Sequence, residues 1–306
     1  GAVRTHVAEV YRVHRRMLRT RRTAALEGTY RLSGRRAPQH LDLKLPTDDE
    51  VTEALDRWRE QVLATAEGDP AAMTSAARAF AEAVALTLDT NALRAWAADR
   101  ASVAATEDER VALRRIEQDL SFADVRATVV RPFTDALGDF MTSQERAVVF
   151  CPTSRLAEEL AEDLQDLLGT KSVFRHLMTG TTGQNENAVR SFEGIRKAAV
   201  LVTDSSAEEG RNLQFADVLV HLGLPADANR LEQRIGRCDR WSSERSAQWR
   251  SHVVSGARHK SYAGAWAHIL AEGFGIFDNS VASLQQAVDD ATEESWRILL
   301  EQGLDG

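Results

Sequence analysis

Cysteine is nearly absent from this 306-residue chain, which has two, Cys151 and Cys238, neither at metal-ligand spacing from a second cysteine or a histidine. That excludes a disulfide scaffold and a thiolate metal site, and it fits a reduced, cytoplasmic setting. Long apolar runs are missing too. Stretches such as Ala198 to Val202 are far too short to cross a bilayer, and the opening GAVRTH has no secretory apolar region, so no membrane is expected as a partner. No loop of the form G-x-x-x-x-G-K-[ST] occurs, so no P-loop cradle for nucleotide phosphates is present. Internal repeats and low-complexity tracts are likewise absent. Nor is there a basic excess, because the formal charge is -8, which argues against a protein that coats nucleic acid by bulk attraction. The balance is uneven, however. Between residues 4 and 36, ten arginines face only Glu9 and Glu27, a local +8 that leaves -16 on the remainder.

What is present, 43% hydrophobic and 27% charged residues, suits a globular chain of one or two domains. From about 48 to 122, apolar residues recur at helical spacing in LDRWREQVL, ARAFAEAVALTL and RVALRRIEQDL, with Pro70 and Thr106 as helix-start signals. After Gln144 the pattern changes to short β-branched runs: AVVFC at 147–151, SVFRHL at 172–177, AAVLVT at 198–203 and DVLVHL at 217–222. Helical stretches at Ser154 to Leu168, Asn185 to Phe192 and from Asp227 onward separate them. Such alternation predicts a parallel sheet covered on both faces, completed by a strand near Ser251 to Val254. Helices follow at Ser280 to Val288 and Thr292 to Leu300. The expected organisation is a basic arm and helical module at 1–140, an α/β unit at 141–258 and a helical extension at 259–306. In an open parallel sheet ligands sit where loops leave the carboxyl ends of the strands, so the loops after 151, 177, 203 and 222 are the candidate site.

One segment stands out for its chemistry: NRLEQRIGRCDR, Asn229 to Arg240, sets Arg234, Arg237 and Arg240 three residues apart around Gly236. A guanidinium is permanently charged and forked, which suits phosphate, and several together can neutralise charge on a transferring phosphoryl group. Alone, the same run reads first as a solvated, salt-bridged helix face.

AVVFCPTSRLAEEL, HLMTGTTGQNENAVRSFEG, LVTDSSAEEGRNLQFADVLVHLGLP and NRLEQRIGRCDR, in that order, resemble the motifs of the second RecA-like lobe of superfamily-two helicases. The resemblance is closest to Swi/Snf-type and RapA-like ATPases, where a segment of the form EGLNLQ precedes LEQRIGR. It covers roughly residues 145 to 255. The flanks RVHRRMLRTRR and IFDNSVASLQQAV look like elements of bacterial relatives, including Snf-like proteins of phage-defence loci. The resemblance implies a RecA-like parallel sheet sandwiched by helices, forming the C-terminal half of an ATP-dependent nucleic-acid translocase or helicase. ATP and Mg2+ would be held mainly by a first RecA-like lobe that carries the P-loop. By motif position Arg237 and Arg240 would contact the γ-phosphate as arginine fingers, with Gln233 and Arg234 helping to place them. Glu209 and Gly210 match the segment that couples nucleotide to nucleic acid. Thr153, Ser154, Gly180, Thr181, Thr182 and Asn212 would lie on a nucleic-acid track, DNA in the first instance, bound without reading sequence. Defence or transcription proteins are the partners such relatives suggest.

The chain departs from the family pattern at AEEG (207–210), at Arg211 in EGRNL, and at Gly223 and Ala226-Asp227-Ala228 after the fourth strand. Those departures favour an alternative, a non-catalytic nucleic-acid-binding or regulatory RecA-like module, or a partner-docking subunit. Plainer roles are also expected of single residues. Thr153 and Ser154 suit a helix cap, Trp241 and Trp249 suit packing, and the arginines of 12–22 suit an acidic face of the same chain. His221 reads as a hydrogen-bonded core histidine, Cys151 and Cys238 as inert small hydrophobes, and Glu208 as a solvated charge.

Overall fold

The computed structural model describes residues 35, 37–41, 43, 45, 48–208, 212–238, 250–254, 260–281 and 284–304. Six parallel strands form one sheet in the order β1-β6-β5-β2-β4-β3: β1 Gln39–His40, β2 Arg146–Phe150, β3 Val173–His176, β4 Ala199–Thr203, β5 Val218–Leu222 and β6 Arg250–Val254. This is the α/β architecture the alternating sequence predicts, a parallel sheet sandwiched by helices, as the resemblance to RecA-like lobes implies. Strands β2, β4 and β5 are buried along their whole length, which is why they read as unbroken apolar runs.

The pleat sends alternate residues to two cores. Val148, Phe150, Leu201 and Leu219 pack with Leu231 and Ile235 of the arginine-bearing helix. Ala147, Val149, Val200, Val202 and Val220 pack on the opposite face with Leu156, Leu160, Phe133 and Leu137. Ten α-helices lie among the described residues. The first four are α1 Asp48–Ala66, α2 Pro70–Ala85, α3 Thr90–Val103 and α4 Glu107–Asp119. They are followed by α5 Arg131–Phe140, α6 Ser154–Leu168, α7 Thr182–Gly194, α8 Ala228–Cys238, α9 Tyr262–His268 and α10 Gln285–Gln302. Asp69 caps α2 ahead of Pro70, and Thr106 caps α4, as their sequence signals predict.

Two arrangements differ from the sequence reading. The last two predicted helices are one, α10, because nothing in the Asp289-Asp290-Ala291 junction breaks a helix. The helices α1–α4 lie in sequence between β1 and β2, two strands of one sheet, and share a core with it. Phe80 of α2 meets Tyr262 at 4.8 Å and Trp296 at 6.3 Å, both edge-on. Trp266 and Trp296, 4.4 Å apart, donate their indole N–H groups to the carbonyls of Pro225 and Ala226, fixing the loop between β5 and α8.

Candidate nucleotide and nucleic-acid face

The carboxyl ends of β2, β3, β4 and β5 gather the expected loops on one edge of the sheet. After β4, Asp204 is 2% exposed and receives the Ser154 hydroxyl, the Met178 amide at 2.9 Å and the Ser206 amide at 2.9 Å. Burial raises such a carboxyl, yet these bonds overcome it and hold Asp204 below its ordinary value. One carboxylate therefore ties together the loops that follow β2, β3 and β4. The Thr153 hydroxyl caps α6 by accepting the Leu156 amide at 3.1 Å and donates to the buried Asp89 at the start of α3. Both hydroxyls of the Thr153-Ser154 pair thus face carboxylates of the chain itself.

Gly180, Thr181 and Thr182 come together at the start of α7. Thr181 closes a capping box with Gln184, and Thr182 is exposed. Gly180 is required by space: a Cβ there would lie 2.7 Å from Asn185 Oδ1, which accepts the Leu177 amide at 3.1 Å while Asn185 Nδ2 returns a bond to the Leu177 carbonyl at 2.8 Å. Asn212 is exposed and folds back to accept the Gln214 amide at 3.1 Å, while Glu209 and Gly210 lie outside the described residues.

The arginine helix α8 does not aim its cations one way. Arg234 turns inward, 2% exposed, its guanidinium 5.0 Å from the Phe150 ring, and its Nε donates to Glu208 Oε1 at 2.7 Å. Burial lowers the proton affinity of Arg234, opposed by the neighbouring Glu208 charge. Arg230, one turn earlier, grips the same carboxylate twice, at 2.8 and 3.0 Å. Glu208 is consequently a buried anchor, 4% exposed, where the sequence suggested a solvated charge, and its partners 22 and 26 residues away gave no local signal. Arg237 is half-buried: its Nε donates to the Glu208 carbonyl at 2.8 Å, its own carbonyl accepts the Leu213 amide at 3.0 Å, and its two Nη groups make no hydrogen bond with any described residue. Gln233 is half-buried on the same helix. Arg240, Trp241 and Trp249, like the arginines of 12–22, lie outside the described residues. One member of the basic N-terminal stretch is described: Arg35 forks onto Glu232 of α8 at 2.6 and 2.9 Å.

Two buried groups need comment. Cys151 and Cys238 are fully buried thiols, and burial pushes the Cys151 thiol up, away from reactivity. His221 is also 0% exposed, but contrary to the sequence reading neither ring nitrogen has a hydrogen-bond partner among the described residues. It stacks on Phe150 at 6.2 Å and meets Phe277 edge-on at 5.8 Å, so aromatic packing replaces hydrogen bonding. Among the described residues no cluster suits a metal ion, and no helix is long and apolar enough to cross a membrane.

Residues 132–242 match the family described as helicase conserved C-terminal domain. Among curated proteins, the RNA polymerase-associated protein RapA of Sodalis glossinidius is 32% identical over 119 residues, 38% of this chain and 12% of that protein. Its namesake from Proteus mirabilis is 29% identical over 151 residues, 49% of this chain and 15% of that protein. The match therefore spans a small part of these relatives' length. Among solved structures, the Hef helicase domain of Pyrococcus furiosus aligns with a TM-score of 0.47 at 15% identity, covering 80% of this chain and 60% of that one. The segment that holds the arginine helix, Glu208 and the gathered loops thus matches the helicase conserved C-terminal domain family and is similar to part of the RapA proteins.

Proposed function

We propose that this chain forms the second RecA-like lobe of an ATP-dependent nucleic-acid translocase or helicase, supplying an arginine finger and part of the nucleic-acid track. One observation carries the reading: Arg237 is fixed through its Nε and its backbone carbonyl while both Nη groups remain without partners among the described residues. A guanidinium held at its neck can present its forked Nη pair to phosphate oxygens. ATP with Mg2+ would lie between this lobe and one carrying the P-loop, with Arg240 as second finger and Gln233 and Arg234 placing them. Nucleotide supplies the phosphoryl chemistry when bound; the chain's own part is charge placement and water exclusion. Thr182, Gly180 and the amides at the start of α7 would meet backbone phosphates, alongside Asn212, with Glu209 and Gly210 linking the two ligands. Since the Thr153 and Ser154 hydroxyls face Asp89 and Asp204, those residues would position the track and approach phosphate through their amides. DNA is the polymer in this reading, and protein partners of the defence or transcription kind would dock on the helical flank.

Arg237→Ala in the full-length protein is expected to lower nucleic-acid-stimulated ATP hydrolysis by about 10³-fold or more, the range of arginine fingers in phosphoryl transfer. Undiminished turnover would sink the assignment. A second reading, a non-catalytic nucleic-acid-binding module, draws on the neutralisation of Arg230 and Arg234 by Glu208, which leaves fewer cations for a nucleotide. It requires full-length protein that binds nucleic acid with no ATP turnover.

A further inference from the structure

Three successive turns of α8 hold one residue. Arg230 and Arg234, four apart and therefore stacked on one helix face, close on the Glu208 carboxylate, and Arg237, three further on, closes on the Glu208 carbonyl. A single carbonyl bond would leave the residue free to turn. The carboxylate removes that freedom, since Arg230 forks onto it and Arg234 reaches it from a site with only 2% exposure. Burying such charges is a poor route to stability, because desolvation offsets attraction; what a hydrogen-bonded buried pair fixes is geometry. The Leu213 amide bonds to the Arg237 carbonyl, so Arg237 is tied to both Glu208 and Leu213.

We propose that Glu208 is a positioning residue for Arg237: its carboxylate, clamped by Arg230 and Arg234, fixes the main chain whose carbonyl orients the Arg237 guanidinium. The inference rests on reading Arg237 as the phosphate-facing arginine. It assigns to Glu208 the task that motif position gave to Gln233 and Arg234 alone.

The test uses Glu208→Asp, which keeps the charge and shortens the reach by one methylene. In the 15N-labelled 306-residue chain, hydrogen exchange at Arg237 Nε–Hε should accelerate by about tenfold or more, while the backbone amides of Leu201 and Val220 keep their protection. Arg237 exchange unchanged in this folded variant overturns the inference. Should Glu208→Asp fail to fold, Arg230→Gln removes the half-exposed clamp, and Arg237 exchange must rise there too or the inference fails. In full-length protein, Glu208→Asp is expected to reduce kcat by about 10²-fold, the scale of a small misplacement, with KM for ATP nearly unchanged. A KM effect without a kcat effect overturns it. Loss of the finger reading is seen separately, as Arg237→Ala with full turnover beside an altered Arg237 exchange in Glu208→Asp.

Discussion

At the scale of the residue, His221 is a buried titratable group whose ring packs between Phe150 and Phe277. Burial, helped by the nearby Arg234 charge, holds its pKa well below the ordinary value of 6.5. The unfolded chain therefore takes up a proton near pH 6.5 that the folded chain refuses. Stability is full above that pH and falls below it, by about 1.4 kcal/mol per pH unit for one such group. His252, lowered to about 4 by burial, adds a loss of the same sign that ends near pH 4. Urea denaturation at pH 7 and pH 5 should show wild type losing stability, and His221→Phe should lose less; equal losses would refute the neutral buried histidine. Residue by residue, the sequence revealed what local chemistry dictates. Thr153 as a cap and the cysteines as buried thiols were legible because neighbours in sequence decide them. Glu208 and the unpaired ring of His221 were not, because partners on other elements decide those.

At the scale of the element, the turn between β3 and α7 is braced by Asn185, whose amide satisfies both polar groups of Leu177. Asn185→Ala leaves the buried Leu177 amide unmet and its carbonyl with the Gly180 amide alone, and should cost about 1–3 kcal/mol. Gly180→Ala drives a methyl into Asn185 Oδ1 and should lower stability in the same assay; a neutral Gly180→Ala would show that the turn gives way freely. Strands β2, β4 and β5 were legible because parallel strands buried on both faces spell continuous apolar, β-branched runs. The two-residue strand β1, Gln-His, carries no such run, and its place in the sheet comes only from pairing with β6. Gly223 has φ 83°, a backbone that favours glycine and turns the chain from β5 toward α8.

At the scale of the whole molecule, Asp89 joins the helical module to the sheet. It is 0% exposed, caps α3 through the Ala92 amide at 3.0 Å, and takes both the Thr153 hydroxyl and the Arg155 guanidinium. Asp89→Ala removes a cap and two bonds to a buried charge, an expected loss of about 2–4 kcal/mol. Arg155→Ala, a side chain 42% exposed, should cost about 1 kcal/mol or less. Equal losses in denaturant titration would mean that the clamp holds nothing. The expected boundary at 140 remains a proposal about units of function, while the shared core joins α1 and α2 to α9 and α10.

The pairing of Gln39 with His252 has a kinetic consequence. Seating β1 closes a loop that contains every other described strand except part of β6, and two residues of pairing offer little to offset the entropy of that closure. Strand β6 must stand before this edge has a template, so β1 is expected to dock last in refolding.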